Sequence, residues 1–261
     1  MIDIEGLKIG EGNHVIIAGP CSIENRDQLL VIAEELHRLN IPILRGGAFK
    51  PRTSPYSFQG LGVEGLRYMK DAKQLTGMLT VSEVMDPEDI PLVSDYVDIL
   101  QVGSRNMFNY SFLKKLGKIQ KPVFLKRGFM ATVEEFLLSA EYLIQGGNKR
   151  VILCERGIRT FETITRNTLD INAVPVLKRM SHLPVFVDPC HASGRSDIVL
   201  PLSKAALVAG ADGIMLEVHP NPTKALCDGQ QSLRLEDMER IMKILNETIE
   251  FITKQGSGDI A

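Results

Sequence analysis

Eight short runs of apolar, largely β-forming residues, separated by segments with helical periodicity, constrain the fold of this chain more than any other feature. They centre on residues 15–18, 43–45, 79–81, 99–102, 123–125, 151–153, 185–187 and 214–216. The runs are close to continuously apolar, which predicts strands buried on both faces, as in a parallel sheet covered by helices. Between them, Leu29, Ile32, Ala33 and Leu36 follow the i, i+3, i+4, i+7 stripe of an amphipathic helix. Val133, Phe136, Leu137 and Ala140 repeat it, as do Met238, Ile241, Met242 and Leu245. Eight β/α units close naturally into a (β/α)8 TIM barrel. A doubly wound open sheet is the rival, but no composition break, Pro/Gly-rich linker or low-complexity segment divides the chain into the halves it would favour. The expected architecture is one α/β barrel domain over 1–261, with a short N-terminal cap at 1–12 and a frayed tail at 255–261.

Composition removes several classes of partner. A formal net charge of -2 and a pI near 6.2 give no global attraction to nucleic acid or anionic membrane, so any anion binding must be local. No apolar stretch approaches the roughly 20 residues of a membrane helix, and 1–10 lacks a signal-peptide pattern, so a cytoplasmic location is expected. The four cysteines, Cys21, Cys154, Cys190 and Cys227, are widely spaced with no CxxC pair, which predicts reduced thiols.

Cys21, His191, Glu217 and Asp228 are good metal-ligand types that sit past the ends of the first, seventh and eighth runs. Strand ends are where active sites assemble in β/α barrels, so one thiolate, one imidazole and two carboxylates are expected to hold one divalent cation. Such a set suits manganese, iron, cobalt, zinc or cadmium better than magnesium. A thiolate ligand would also make activity vulnerable to oxidation. His219 lies two residues after Glu217, on the same strand face, and competes with Asp228 as a ligand. Cys190 and Cys227 are expected to be packing thiols, and His14, His37 and His182 structural.

The strand ends are also basic. Arg45, Lys50 and Arg52 follow the second run, Arg105 the fourth, Lys126 and Arg127 the fifth and Arg156 the sixth. A single such residue is most often solvated charge, but seven on one face of a chain with net charge -2 predict a pocket for two polyanionic groups. The loop over 46–62, RGGAFKPRTSPYSFQGLG with its leading Arg45, is long enough to be functional and offers Lys50, Arg52 and Thr53 to an anion. Gly60, Gly62 and Gly65 satisfy GxGxxG with Glu83 downstream, but the nearest preceding run ends near Arg45, so no dinucleotide site is expected.

AGPCSIE (18–24), RGGAFKPRTSP (45–55), QVGSRNMFN (101–109), LKRG (125–128), ERGIRTFE (155–162), DPCHASG (188–194) and LEVHPNPTKALCDGQQSL (216–233) occur in that order along nearly the whole chain. Together they closely resemble 3-deoxy-D-arabino-heptulosonate 7-phosphate (DAHP) synthase, in the short catalytic-domain form related to 3-deoxy-octulosonate 8-phosphate (KDO8P) synthase. The resemblance implies a barrel that condenses phosphoenolpyruvate (PEP) with erythrose 4-phosphate and releases phosphate. It implies Cys21, His191, Glu217 and Asp228 as metal ligands, and Arg45, Lys50, Arg105, Lys126 and Arg156 as PEP-binding residues. Arg52 and Thr53 match the site for the aldose phosphate, and Lys50, Cys21 and His191 the catalytic set. The proline form of KPRTS favours the four-carbon aldehyde, because octulosonate enzymes typically carry an Asn-containing version at 51–53; arabinose 5-phosphate is the alternative substrate. Lys50, crowded by Arg45 and Arg52, is expected to have a lowered pKa and to donate a proton to the new alkoxide. A non-catalytic anion-binding barrel is the reading from another class, and a complete ligand set argues against it. The family also implies a homo-oligomer, dimer or tetramer. With no room for a regulatory domain, insensitivity to aromatic amino acids is expected.

Overall fold

A computed structural model describes residues 1–52 and 54–256. Its two first strands, β1 (Ile2–Ile4) and β2 (Leu7–Ile9), pair antiparallel as a hairpin. The barrel strands follow: β3 (Val15–Gly19), β4 (Ile43–Arg45), β5 (Leu79–Glu83), β6 (Ile99–Val102), β7 (Val123–Lys126), β8 (Val151–Glu155), β9 (Val185–Val187) and β10 (Gly213–His219). Each pairs parallel with the next, and β10 pairs with both β9 and β3, which closes the ring. A two-residue strand, β11 (Leu233–Arg234), extends β10 on its outer side.

Helices cover the ring: α1 (Arg26–Arg38), α2 (Val63–Thr76), α3 (Ile90–Tyr96), α4 (Tyr110–Leu116), α5 (Val133–Gln145), α6 (Ala173–Met180), α7 (Pro189–Ser193), α8 (Val199–Val208) and α9 (Met238–Gly256). Helix α1 begins where the Asn25 side chain accepts from Gln28 N, and α5 begins at a full capping box of Thr132 and Glu135. The three predicted stripes are the buried faces of α1, α5 and α9, except that Val133 and Leu137 are only partly buried. Helix α9 runs on to Gly256, so the expected tail is helical at its start, and 257–261 lie outside the described residues. No helix among the described residues is long and apolar enough to cross a membrane.

Because both strand faces are apolar, each strand supplies two cores. Ile16, Ala18, Leu44, Leu100, Leu125, Leu153 and Leu216 pack outward under the helices. Val15, Ile17, Ile43, Val81, Ile99, Phe124, Ile152, Phe186 and Met215 fill the barrel interior. Ile2, Ile4 and Ile9 join the interior cluster, so the expected cap is a hairpin stoppering the N-terminal end. Polar chemistry is thereby confined to the other end. Gly60 and Gly62 precede α2 rather than following a strand; a Cβ at Gly60 would run into the Ala48 carbonyl, so its role is close backbone approach.

Candidate metal centre and active site

The pleat that buries the interior core also builds the site. Side chains repeat every second residue, so the inward positions Ile43, Val81, Ile99, Phe124, Cys154, Phe186 and Met215 are followed, one step toward the C-terminal mouth, by Arg45, Glu83, Gln101, Lys126, Arg156, Asp188 and Glu217. One layer of the barrel is apolar and the next is almost entirely charged. All seven are buried. Above them opens a cleft of about 310 Å³ whose lining includes Lys50, Arg52, Arg105, Phe129 and Arg166.

The same period explains Arg127, which sequence placed in the basic ring. Lys126 points in, so Arg127 points out, where it is spent on ion pairs with buried Glu155 and with Asp170, each at 2.8 Å. It braces the loop after β8 and does not line the cleft. Arg45, Lys50, Arg52, Arg105, Lys126 and Arg156 all do. Thr53 lies outside the described residues.

Four predicted ligands converge at the mouth. One donor atom from each of Cys21, His191, Glu217 and Asp228 lies within 4.8 Å of all the others. The spacings are 3.2 Å from Cys21 Sγ to Asp228 Oδ2, 3.3 Å from His191 Nε2 to Glu217 Oε1 and 3.9 Å from His191 Nε2 to Asp228 Oδ2. Bonds of roughly 2.0–2.3 Å to a common ion leave neighbouring ligand atoms roughly 3–4 Å apart, so the donor set fits one divalent cation.

Local backbone aims these groups. Gly19 has φ +152°, and a Cβ there would strike the Arg45 carbonyl, so only glycine lets β3 end against β4 and deliver Cys21. Asp228 adopts the left-handed conformation, φ 51°, which aspartate tolerates better than most residues. The Asp188 carboxylate caps α7 by accepting His191 N at 2.9 Å, accepts His191 Nδ1 at 2.7 Å, and receives the Lys126 ammonium. That bond fixes the imidazole so that Nε2 faces Glu217 and Asp228.

His219 does not compete. Its Nδ1 accepts Asn221 N at 2.9 Å and its Nε2 meets Gln28 Nε2 at 2.8 Å, outside the cluster. Glu24, beside it, accepts Leu226 N at 2.8 Å, so this group anchors the loop that carries Asp228. Arg166 reaches Asp228 at 3.1 Å and Gln231 at 2.9 Å, and Gln231 donates to Glu217. Cys190 packs as expected and its sulfur accepts Glu217 N at 3.2 Å. Cys227 is a correction: its sulfur sits 2.9 Å from that of Cys21, at the edge of the cluster, because the left-handed turn at Asp228 brings both residues inward.

Electrostatics divide the site into anions and fixed cations. Burial opposes ionisation of Glu217, yet His191 and Arg45 hold its pKa down to about 2. Asp228 is likewise held below its ordinary value, against burial, by His191 and Arg166. Burial pulls His191 down to about 4 against the attraction of Asp188 and Glu217, which leaves a neutral imidazole with a free lone pair. Lys50 overturns the expectation of a lowered pKa. Burial does act that way, but the Cys21 and Cys227 sulfurs and Glu217 outweigh it and Arg45, so the ammonium is held above its usual range. Its Nζ lies 3.1 Å from both the Cys21 sulfur and the Cys21 carbonyl oxygen.

Residues 1–254 match the model of the DAHP synthetase I family. The chain belongs to that family. It is 56% identical over 243 residues to the phospho-2-dehydro-3-deoxyheptonate aldolase of Thermotoga maritima, covering 93% of this chain and 72% of the relative. A crystal structure of the DAHP synthase from that organism superimposes with a TM-score of 0.94 at 54% identity, over 97% of this chain and 74% of that one. A 2-dehydro-3-deoxyphosphooctonate aldolase from Geobacter sulfurreducens is 34% identical, covering 97% of this chain and 98% of its own length.

For this DAHP synthetase family member the donor set carries a pH signature. Burial, then Cys227 and Glu217, push the Cys21 thiol well above its ordinary pKa despite Lys50, whereas His191, Glu217 and Asp228 are already in ligand form at neutral pH. A thiol must lose its proton to ligate a metal, so loading with manganese or zinc is expected to release one proton, tightening affinity up to about tenfold per pH unit between about pH 6 and 8. Calorimetry in buffers of different ionisation enthalpy measures this; loading without proton release would show that Cys21 is not a ligand or is already ionised.

Proposed function

We propose that this chain catalyses the metal-dependent condensation of PEP with erythrose 4-phosphate to DAHP and phosphate, the first step of the shikimate pathway to aromatic amino acids. Beyond family membership, one observation carries the reading: a four-donor cluster and cations without carboxylate partners open into a single cleft. Among the described residues Arg105 and Arg156 form no ion pair, and the only side-chain hydrogen bond of Arg156 is 3.5 Å long, to Gly157 O. Such cations are preorganised for an anion and need not break a bond to receive one.

In the balance, PEP, erythrose 4-phosphate and water become DAHP and inorganic phosphate. The new bond joins C3 of PEP to the aldehyde carbon, the aldehyde oxygen becomes a hydroxyl, and a water oxygen ends on C2. Two anionic substrates repel each other, so most of the protein's work is neutralisation and aim. Arg45, Lys50, Arg105, Lys126 and Arg156 take PEP, and Arg52 with Thr53 takes the aldose phosphate. Arg52 is already turned by its bond from Nε to Phe58 O at 2.9 Å. Lys50 keeps its proton at Nζ and acts by charge and hydrogen bonding. A divalent ion on Cys21, His191, Glu217 and Asp228 supplies Lewis acidity to the aldehyde oxygen or to a water. Asp188 joins both halves, since one carboxylate orients His191 and Lys126.

Manganese, iron, cobalt, zinc or cadmium as the ion, a homodimeric or homotetrameric assembly, and a cytoplasmic location belong to the same reading. The deciding experiment measures phosphate release from PEP with erythrose 4-phosphate or arabinose 5-phosphate, with EDTA and metal add-back. Release is expected only with metal and aldose together, with kcat/KM favouring erythrose 4-phosphate by about tenfold or more. Preference for the five-carbon sugar, or release without any aldose, would overturn the assignment.

A further inference from the structure

Phe129 sits at the rim of the cleft in the loop after β7, and it belongs to neither hydrophobic cluster. Its ring instead meets three guanidinium groups. The Cζ atoms of Arg156, Arg159 and Arg105 lie 4.7, 5.0 and 5.5 Å from the ring centroid. Significant contacts of this kind occur roughly once per 70–80 residues, so three on one ring are a feature of this site and not background. Arg159 is tied to the platform by its backbone as well, its N–H donating to Phe129 O at 2.8 Å.

Three like charges around one point repel, and no carboxylate among the described residues pairs with Arg105, Arg156 or Arg159. The electron-rich aromatic face they share attracts cations without consuming their hydrogen-bond donors, beside the longer-range pull of Asp188 and Glu155 on Arg156. A carboxylate would hold them too, but it would occupy the donors that a phosphate needs. We propose that Phe129 is a positioning residue: its ring gathers Arg105 and Arg156 into one arrangement before the anion arrives, and keeps their N–H groups free for a phosphate. Arg159, exposed on the same ring, adds positive charge at the entrance. That the phosphate is the one on PEP rests on the function proposed above; the arginine platform itself does not.

The test compares metal-loaded wild type with Phe129→Leu, which keeps apolar bulk without the π face, and Phe129→Tyr, which restores the face. Calorimetry with PEP and with inorganic phosphate should show Phe129→Leu binding both about tenfold more weakly. In turnover, KM for PEP should rise about tenfold while kcat falls far less, KM for erythrose 4-phosphate holds, and Phe129→Tyr returns to within about threefold of wild type. A thermal midpoint equal to wild type excludes a folding defect; if Phe129→Leu does not fold, Phe129→Met serves in its place. Unchanged PEP and phosphate binding in Phe129→Leu, or a Tyr variant as weak as Leu, overturns the proposal. A wild type that binds phosphate but does not turn over PEP with erythrose 4-phosphate would instead sink the functional reading.

Discussion

His191→Ala is expected to lose turnover by about 10³-fold or more and to copurify without stoichiometric metal, and EDTA should reproduce the loss reversibly in wild type. A Lewis-acid ion contributes several kcal/mol of transition-state stabilisation, and at ~1.4 kcal/mol per decade that is about 10³. His191 carries this weight because its Nε2 lies 3.3 Å from Glu217 and 3.9 Å from Asp228, with its other nitrogen bonded to Asp188. The contrast is His219→Ala, whose ring touches Gln28 and Asn221 and not the cluster. That variant should retain most of its metal while loosening the loop that bears Asp228. Metal content by atomic emission, read beside phosphate release, checks both. Full metal and turnover in His191→Ala, with none in His219→Ala, would reverse the assignment.

The second large effect concerns Arg45, which donates to Glu217 where both side chains are nearly fully buried. Burial works against the guanidinium charge, yet Glu217, Cys21 and Asp188 hold its pKa above the usual range. Arg45→Met should lower stability by about 3–5 kcal/mol in EDTA, the usual consequence of leaving one member of a buried pair uncompensated. Added metal should recover part of this, because a cation on Glu217 replaces the lost charge. PEP affinity should stay low, since Arg45 also lines the cleft. A pH signature accompanies the loss. Glu217 is held down to about 2, so its interactions stabilise the fold above its unfolded pKa of about 4.3 and fade as pH falls toward 2. Without Arg45 its pKa rises, and acid unfolding should begin at higher pH. Urea titrations with and without EDTA at several pH values measure this. A variant as stable as wild type in EDTA would show that the pair contributes nothing.

Much of this molecule is legible in its residues. All eight apolar runs are strands, lengthened by a residue or two in β3, β5, β7 and β8 and by four in β10. The four clustered donors, and six of the seven arginines and lysines that line the cleft, are legible by type and by place near strand ends, Arg166 being the exception, and the motifs they sit in name the family. Glu83, Gln101 and Asp188 were missed, although a signal existed. Each lies two residues beyond an inward apolar position, and carrying the strand period one step further would have marked all three and excluded Arg127.

Lys50 and Cys227 carried no such signal. Their chemistry depends on sulfurs and carboxylates that the fold brings together from positions up to 207 residues apart. Local order along a strand or helix is governed by short-range sterics and by which face is apolar, and both are written in neighbouring residues. That is why the barrel, its stoppered end and its polar mouth follow from sequence alone. Which charge meets which, and so whether Lys50 rises or falls, is set by distance and desolvation in the closed barrel. Those two quantities exist only once distant loops have met.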